Sequence, residues 1–162
     1  MNTVYLIIGG NIGKREEAIL HALRKIDRQT GEIFIKSAIY ETAPWGNEDQ
    51  AKFLNCAIGI KTSKSPHEVL QSILDIEMQM GRIRGEEKWK ERLIDIDILF
   101  YENKTVLDDE LSIPHPFLHQ RKFVLTPLNE IAPQFIHPAQ NKTVQELLNA
   151  CKDQLSVEKV HV

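Results

Sequence analysis

Residues 65–81 read SPHEVLQSILDIEMQMG. Ser65 is an N-cap, Pro66 suits a first turn whose N–H groups lack helical partners, and Glu68 closes a capping box three residues after the cap. Apolar residues follow at Val69, Leu70, Ile73, Ile76 and Met80, one face of a helix, and Gly81 supplies the stop. The stretch predicts a helix, and its flanks predict strands. Before it, 53–61 (FLNCAIGIK) is β-branched and aromatic; after it, beyond a polar segment at 82–91, comes the apolar run that ends ERLIDIDILF at 91–100.

Further out, 33–41 (IFIKSAIYE) reads as another strand. It is separated from 53–61 by TAPWGNEDQAK, too polar and too long for a tight hairpin turn. From Lys14 to Gln29, apolar residues at Ala18, Ile19, Ala22, Leu23 and Ile26 form one helical face, with Gly31 as the stop. Residues 3–8, TVYLII, form a short buried strand closed by Gly9 and Gly10. Five of the seven prolines lie from residue 114 onward, so a mostly irregular tail is expected. It closes in a short capped helix, Thr143-Val144-Gln145-Glu146 leading into Leu147-Leu148.

The order is β-α-β-β-α-β plus a proline-rich C-terminal extension. That predicts an α+β, ferredoxin-like core, an antiparallel sheet with two helices on one face. Enzymes, RNA-binding modules and small-molecule sensors all use it, so the fold does not name the function.

At 162 residues the chain is expected to be one domain over 1–162, burying roughly 70% of its unfolded surface. A net charge of −3 offers no general attraction for nucleic acid or an anionic membrane. No apolar run approaches the roughly 18–20 residues that span a bilayer, and MNTVYLIIGG reads as a first strand rather than a signal peptide. Cys56 and Cys151 form no CxxC pattern, which speaks against a disulfide framework or a thiolate zinc site. A cytoplasmic protein fits, and the sequons at Asn103 and Asn141 then carry no meaning.

In an extended strand Asp95 and Asp97 share one face while Ile94, Ile96 and Ile98 share the other. The plain reading puts the isoleucines in the core and the aspartates in water. The alternative is a metal site. Carboxylates whose attachment points lie roughly 7 Å apart repel by about 2 kcal/mol at an effective dielectric near 20. Magnesium would turn that repulsion into binding, since hard cations seek carboxylate oxygens. Just upstream, GRIRGEEKWKER (81–92) sets Arg82, Arg84, Lys88, Lys90 and Arg92 against Glu86, Glu87 and Glu91. It is either a solvated charged loop or a set of guanidinium forks for triphosphate oxygens, with Gly81 and Gly85 permitting closure and Trp89 as an apolar tip.

His115 is fixed between Pro114 and Pro116; with Arg121 it either faces phosphate or is a structural turn histidine. Gly9-Gly10-Asn11-Ile12-Gly13 lacks the lysine of a P-loop, so its glycines are read as serving the strand-to-helix turn. Phe53 and Phe123 are core residues unless they face each other across a gap. In that case they can sandwich a flat heterocycle while Asn55, on the same strand face as Phe53, reads its amide edge.

These motifs together resemble a known family. Arg92-Leu93-Ile94-Asp95-Ile96-Asp97-Ile98, with IGGN, YETAPWG, FLNCAI, GRIR, IPHP and RKFVLTPLNEIAP in order, is similar to the signature of the 6-hydroxymethyl-7,8-dihydropterin pyrophosphokinases. That resemblance implies transfer of the β,γ-pyrophosphoryl group of ATP to a pterin hydroxymethyl, with release of AMP, in folate biosynthesis. It implies that Asp95 and Asp97 bind two Mg2+ ions and that Arg82, Arg92 and Asp97 are catalytic. Glu77, Arg84, Trp89, Arg92, Ile98, Ser112, His115 and Arg121 would contact ATP. Thr42, Pro44, Trp45, Phe53, Asn55 and Phe123 would form the pterin pocket, and 9–13, 43–52 and 82–92 the closing loops. The expected partners are ATP and the hydroxymethyl dihydropterin alone, with the chain a monomer.

Departures from the pattern are local. Lys90 and Glu91 replace a small pair such as Gly-Pro, and Gly10 replaces a common serine. Leu74 and Glu110 replace polar or basic residues, so those nucleotide contacts are not carried over. Phe53 replaces tyrosine, keeping the ring and losing the hydroxyl. An RNA-recognition module is disfavoured because KFLNCAIGI offers one aromatic where that module carries several. A metal-dependent nucleotidyl transferase is the enzymatic alternative, and it would release pyrophosphate instead of AMP.

Overall fold

The structure is a computed structural model, and it describes residues 1–43, 52–81 and 94–160. In chain order its elements are β1 (Asn2–Gly10), α1 (Arg15–Gln29), β2 (Glu32–Lys36), β3 (Tyr40–Thr42), β4 (Phe53–Thr62), α2 (Pro66–Gln79), β5 (Asp95–Tyr101), β6 (Val106–Leu107), β7 (Ser112–Ile113), α3 (Lys122–Ile131), α4 (Val144–Ala150) and β8 (Val157–Lys159).

The capping box of α2 is in place. Ser65 Oγ accepts the Glu68 N–H at 3.2 Å, and the Glu68 carboxylate accepts the Ser65 N–H at 2.9 Å. The Ser65 N–H, and after it the Ser65 hydroxyl, hold the Glu68 carboxyl below its usual range. Val69, Ile73 and Ile76 are buried, as the helical period requires.

The main sheet runs β5-β1-β4-β3-β8, with β2 also pairing β4 on the β3 side. Its ladders are antiparallel. The strand expected over 33–41 is broken into β2 and β3. Between them Ser37 takes over a ladder position with its side chain, its Oγ accepting the Ala57 N–H at 3.0 Å while its own N–H donates to Ala57 O at 2.8 Å. A hydroxyl that bonds the neighbouring backbone competes with regular pairing in this way.

Two cores lie on opposite faces of the sheet. One buries Leu6, Ile8, Leu54, Ile58, Ile96 and Ile98 against α1 and α2; the other buries Ile7, Ala57, Leu99 and Phe100 against α3 and α4. The register slips where Leu6 pairs Ile98 but Tyr5 pairs Phe100, leaving one extra residue in β5. This bulge sends Leu99 and Phe100 both into the second core.

The tail is more ordered than its prolines imply. α3 continues through Pro127, which leaves the Phe123 carbonyl without that residue's i+4 donor. The Thr143–Glu146 box caps α4 as expected, but the chain then goes on to β8, which extends the sheet edge.

Candidate active site

The site lies on the sheet face that carries the second core, at the N-terminal end of β5. Asp95 and Asp97 point away from the isoleucines: Ile94, Ile96 and Ile98 are buried, whereas Asp95 is half-buried and Asp97 exposed. Gly9 of β1 pairs Asp95 on one side and Asn55 on the other, so these three positions form one row across three strands. A Cβ on Gly9 would collide with Asn55 Oδ1. Gly9 is therefore a strand residue kept bare by its neighbour's amide, and not the turn glycine the sequence suggests; Gly13, at φ +60°, serves the turn.

A cavity of about 690 Å³ opens over this row. β4 contributes Phe53 and Asn55, the end of β3 contributes Thr42, β5 contributes Asp95, Asp97 and Leu99, the approach to α3 contributes His115, Phe117 and Arg121, and α3 itself contributes Phe123. Phe53 and Phe123 line it from different elements. The Arg121 guanidinium lies 5.3 Å from the Phe117 ring centre and 5.9 Å from that of Phe123, within cation–π range. Thr42 Oγ1 is buried with no hydrogen-bond partner among the described residues. A buried hydroxyl beside a cavity is poised for a ligand's polar atom.

A second cavity, about 210 Å³, adjoins the first. Leu70 and Ile73 of α2, Ile98 of β5 and Ser112 of β7 line it, and Asp97 and His115 line both cavities. His115 is well anchored: its N–H donates to Leu99 O at 3.1 Å, and its Nδ1 accepts the Phe117 N–H at 3.4 Å. A neutral ring bonded this way carries its proton on Nε2. Burial pushes the His115 imidazole below its usual pKa; the Asp97 charge pulls it up and Arg121 pushes it down.

Glu77, expected among the nucleotide contacts, lines neither cavity. Its buried carboxylate accepts the N–H of Ile96 at 3.1 Å, the backbone between the two aspartates. Arg82, Arg84, Trp89 and Arg92 lie outside the described residues, as do Pro44 and Trp45. The sequence reading missed Phe117 and Leu99 as cavity walls. Phe117 follows the Pro114-His115-Pro116 run and could have been found from it; Leu99 faces the site side of β5 and carries no chemical flag.

The model of the family 7,8-dihydro-6-hydroxymethylpterin-pyrophosphokinase matches residues 5–133. The chain belongs to this family. Among its pyrophosphokinase relatives, the 2-amino-4-hydroxy-6-hydroxymethyldihydropteridine pyrophosphokinase of Methylorubrum extorquens is 42% identical over 161 residues, covering 99% of each chain. The enzyme of the same name from Aquifex aeolicus is 43% identical over 146 residues, covering 90% of each. Among solved structures, the wild-type HPPK-DHPS of Plasmodium falciparum with SDX-DHP superposes with a TM-score of 0.73 at 22% identity, over 92% of this chain and 43% of that one. The chain thus spans under half of that solved protein, and the likeness there is one of fold.

The larger cavity is aromatic and amide-bearing, the smaller is walled mainly by aliphatic side chains, and Asp97 and His115 stand at their junction. Among the described residues no group of three or more His, Cys, Asp and Glu surrounds a common point. A pair of carboxylates suits magnesium nonetheless, because that ion is commonly held by one or two protein carboxylates together with substrate phosphates and water.

Proposed function

We propose that this chain transfers the β,γ-pyrophosphoryl group of ATP to the hydroxymethyl oxygen of 6-hydroxymethyl-7,8-dihydropterin, releasing AMP, as a step of folate biosynthesis. The observation that carries this is the shared wall: Asp97 and His115 line both cavities, between the Phe53–Asn55–Phe123 chamber and the aliphatic one. A flat heterocycle fits between aromatic rings, and the Asn55 amide supplies one donor and one acceptor to its edge. The smaller chamber takes the nucleotide base against Leu70, Ile73 and Ile98.

The hydroxymethyl oxygen attacks the β-phosphorus in line and gives up its proton to solvent, the bond from the β-phosphorus to the α,β-bridging oxygen breaks, and AMP carries away that oxygen. Positioning and charge stabilisation dominate such transfers. Asp95 and Asp97 hold two Mg2+ ions, which neutralise phosphate charge when bound. Arg82 and Arg92 meet the transferring group, Arg84, Trp89, His115 and Arg121 hold the nucleotide, and Pro44 and Trp45 complete the pterin pocket. The working unit is a monomer, one domain over residues 1–162, in the cytoplasm.

A product assay tests the reading. With Mg2+, ATP and the pterin, AMP should appear only when the pterin is present. ADP would mean simple phosphoryl transfer and pyrophosphate a nucleotidyl transferase; either overturns it. Replacing Mg2+ with a chelator should abolish turnover and leave pterin binding measurable.

A further inference from the structure

The family match ends at residue 133, yet the chain beyond it reaches back to the site. α3 begins at Lys122, and its own N-cap residue, Arg121, makes no side-chain cap. The first N–H groups of a helix need partners from outside it. One partner comes from 31 residues downstream, where Asp153 Oδ2 accepts the Lys122 N–H at 3.1 Å. The other carboxylate oxygen, Oδ1, accepts the Leu155 N–H at 3.0 Å, so the group is oriented by its own segment before it meets the helix. A negative charge at a helix N-terminus is also favoured by the helix dipole.

The same segment is pinned at its far end. β8 pairs with β3, placing Val157 opposite Thr42 and Lys159 opposite Tyr40, and the Val160 N–H donates to Ile39 O at 2.8 Å. Residues 153–160 therefore run as a strap from the first turn of α3 to the strand that carries Thr42. Two points of the strap neighbour residues of the large cavity: Asp153 bonds the turn that carries Arg121 and Phe123, and Val157 lies opposite Thr42. Asp153 itself lines neither cavity.

We propose that Asp153 is a positioning residue for the pterin site, capping α3 from the C-terminal strap so that Phe123 and Arg121 are held against the β3–β4 wall. The inference rests on reading the large cavity as the pterin site. Phe123 is the second residue of α3, so fraying of the first turn moves its ring directly, and binding must then reorder it.

The test titrates the full chain with 6-hydroxymethyl-7,8-dihydropterin in three forms: unaltered, Asp153→Ala and Asp153→Asn. Hydrogen exchange at the Lys122 amide is followed in the same samples. Asp153→Ala should weaken pterin binding about five-fold, the equivalent of a lost cap worth about 1 kcal/mol, and speed Lys122 exchange. Asp153→Asn, which caps about as well, should restore both. Unchanged pterin affinity in Asp153→Ala overturns the proposal, and so does an Asn variant as weak as the Ala variant. If the unaltered chain binds no pterin, the reading of the cavity itself fails; that outcome is separate, because a lost cap would still show in Lys122 exchange.

Discussion

A single methyl group added at Gly9 would meet the side-chain oxygen of Asn55, which lies across the β1–β4 ladder. Gly9→Ala should therefore push the Asn55 amide out of line and weaken pterin binding about ten-fold or more, since a misplaced buried hydrogen bond costs about 1–3 kcal/mol. Titration of the variant with the pterin checks this, and wild-type affinity would remove the proposed contact between Asn55 and the pterin. Asp97→Ala should abolish turnover while pterin binding survives; an active variant would take Asp97 out of the mechanism. At this scale the alternation in IDIDI was legible, because strand geometry leaves Asp95 and Asp97 only one face. Gly9 was not, since a glycine closing an apolar run looks the same whether it serves a turn or a crowded neighbour.

α3 is the element that the sequence concealed. Val124, Leu125, Leu128 and Ile131 carry a helical period, but Pro127 among them argues for a break. Partners distant in sequence hold the helix in place. Glu130 accepts the Tyr40 hydroxyl at 2.5 Å with Oε1 and the Ala38 N–H at 3.0 Å with Oε2, and Lys159 lies 3.8 Å away. Burial, then the hydrogen bond and the charge of Glu130, push the Tyr40 hydroxyl up to about 12. Ultraviolet titration should find a tyrosine ionising near that value, and Glu130→Gln should bring it down toward the ordinary value of about 10. A group with a raised folded pKa stabilises the fold below its unfolded value. The Tyr40 contribution should thus be intact below about pH 10 and fade as pH rises toward 12. A Tyr40→Phe chain should lack that alkaline decline. The α2 helix, by contrast, was plain in the sequence, because its cap and its apolar face are local signals.

Across the whole molecule, the ferredoxin-like core was readable from element order, while the covering of the second face was not. His137 belongs to that cover. It is buried, and its Nδ1 accepts the N–H groups of Ala139 at 3.0 Å and Gln140 at 3.1 Å, a pattern only an unprotonated Nδ1 allows. Burial, followed by the nearby His119 charge, lowers its pKa. The unfolded chain then binds a proton that the folded chain refuses. Stability should fall as pH drops below about 6.5, the unfolded imidazole value, toward the lower folded pKa. Urea unfolding at several pH values should show this slope, and His137→Gln should reduce it without removing the contribution of the same sign from His115. An equal slope in both chains would clear His137 of the effect.

The row Asn55–Gly9–Asp95 also makes the sheet a ruler. Its ends are separated by two inter-strand spacings, about 10 Å, a length set by backbone hydrogen bonding and not by any adjustable side chain. On the proposed function, a heterocycle read at one end by Asn55 would present its oxygen to the phosphates at the other. A pterin whose side arm is one methylene longer would then overshoot the mark by a bond length, and the strands themselves would discriminate by reach.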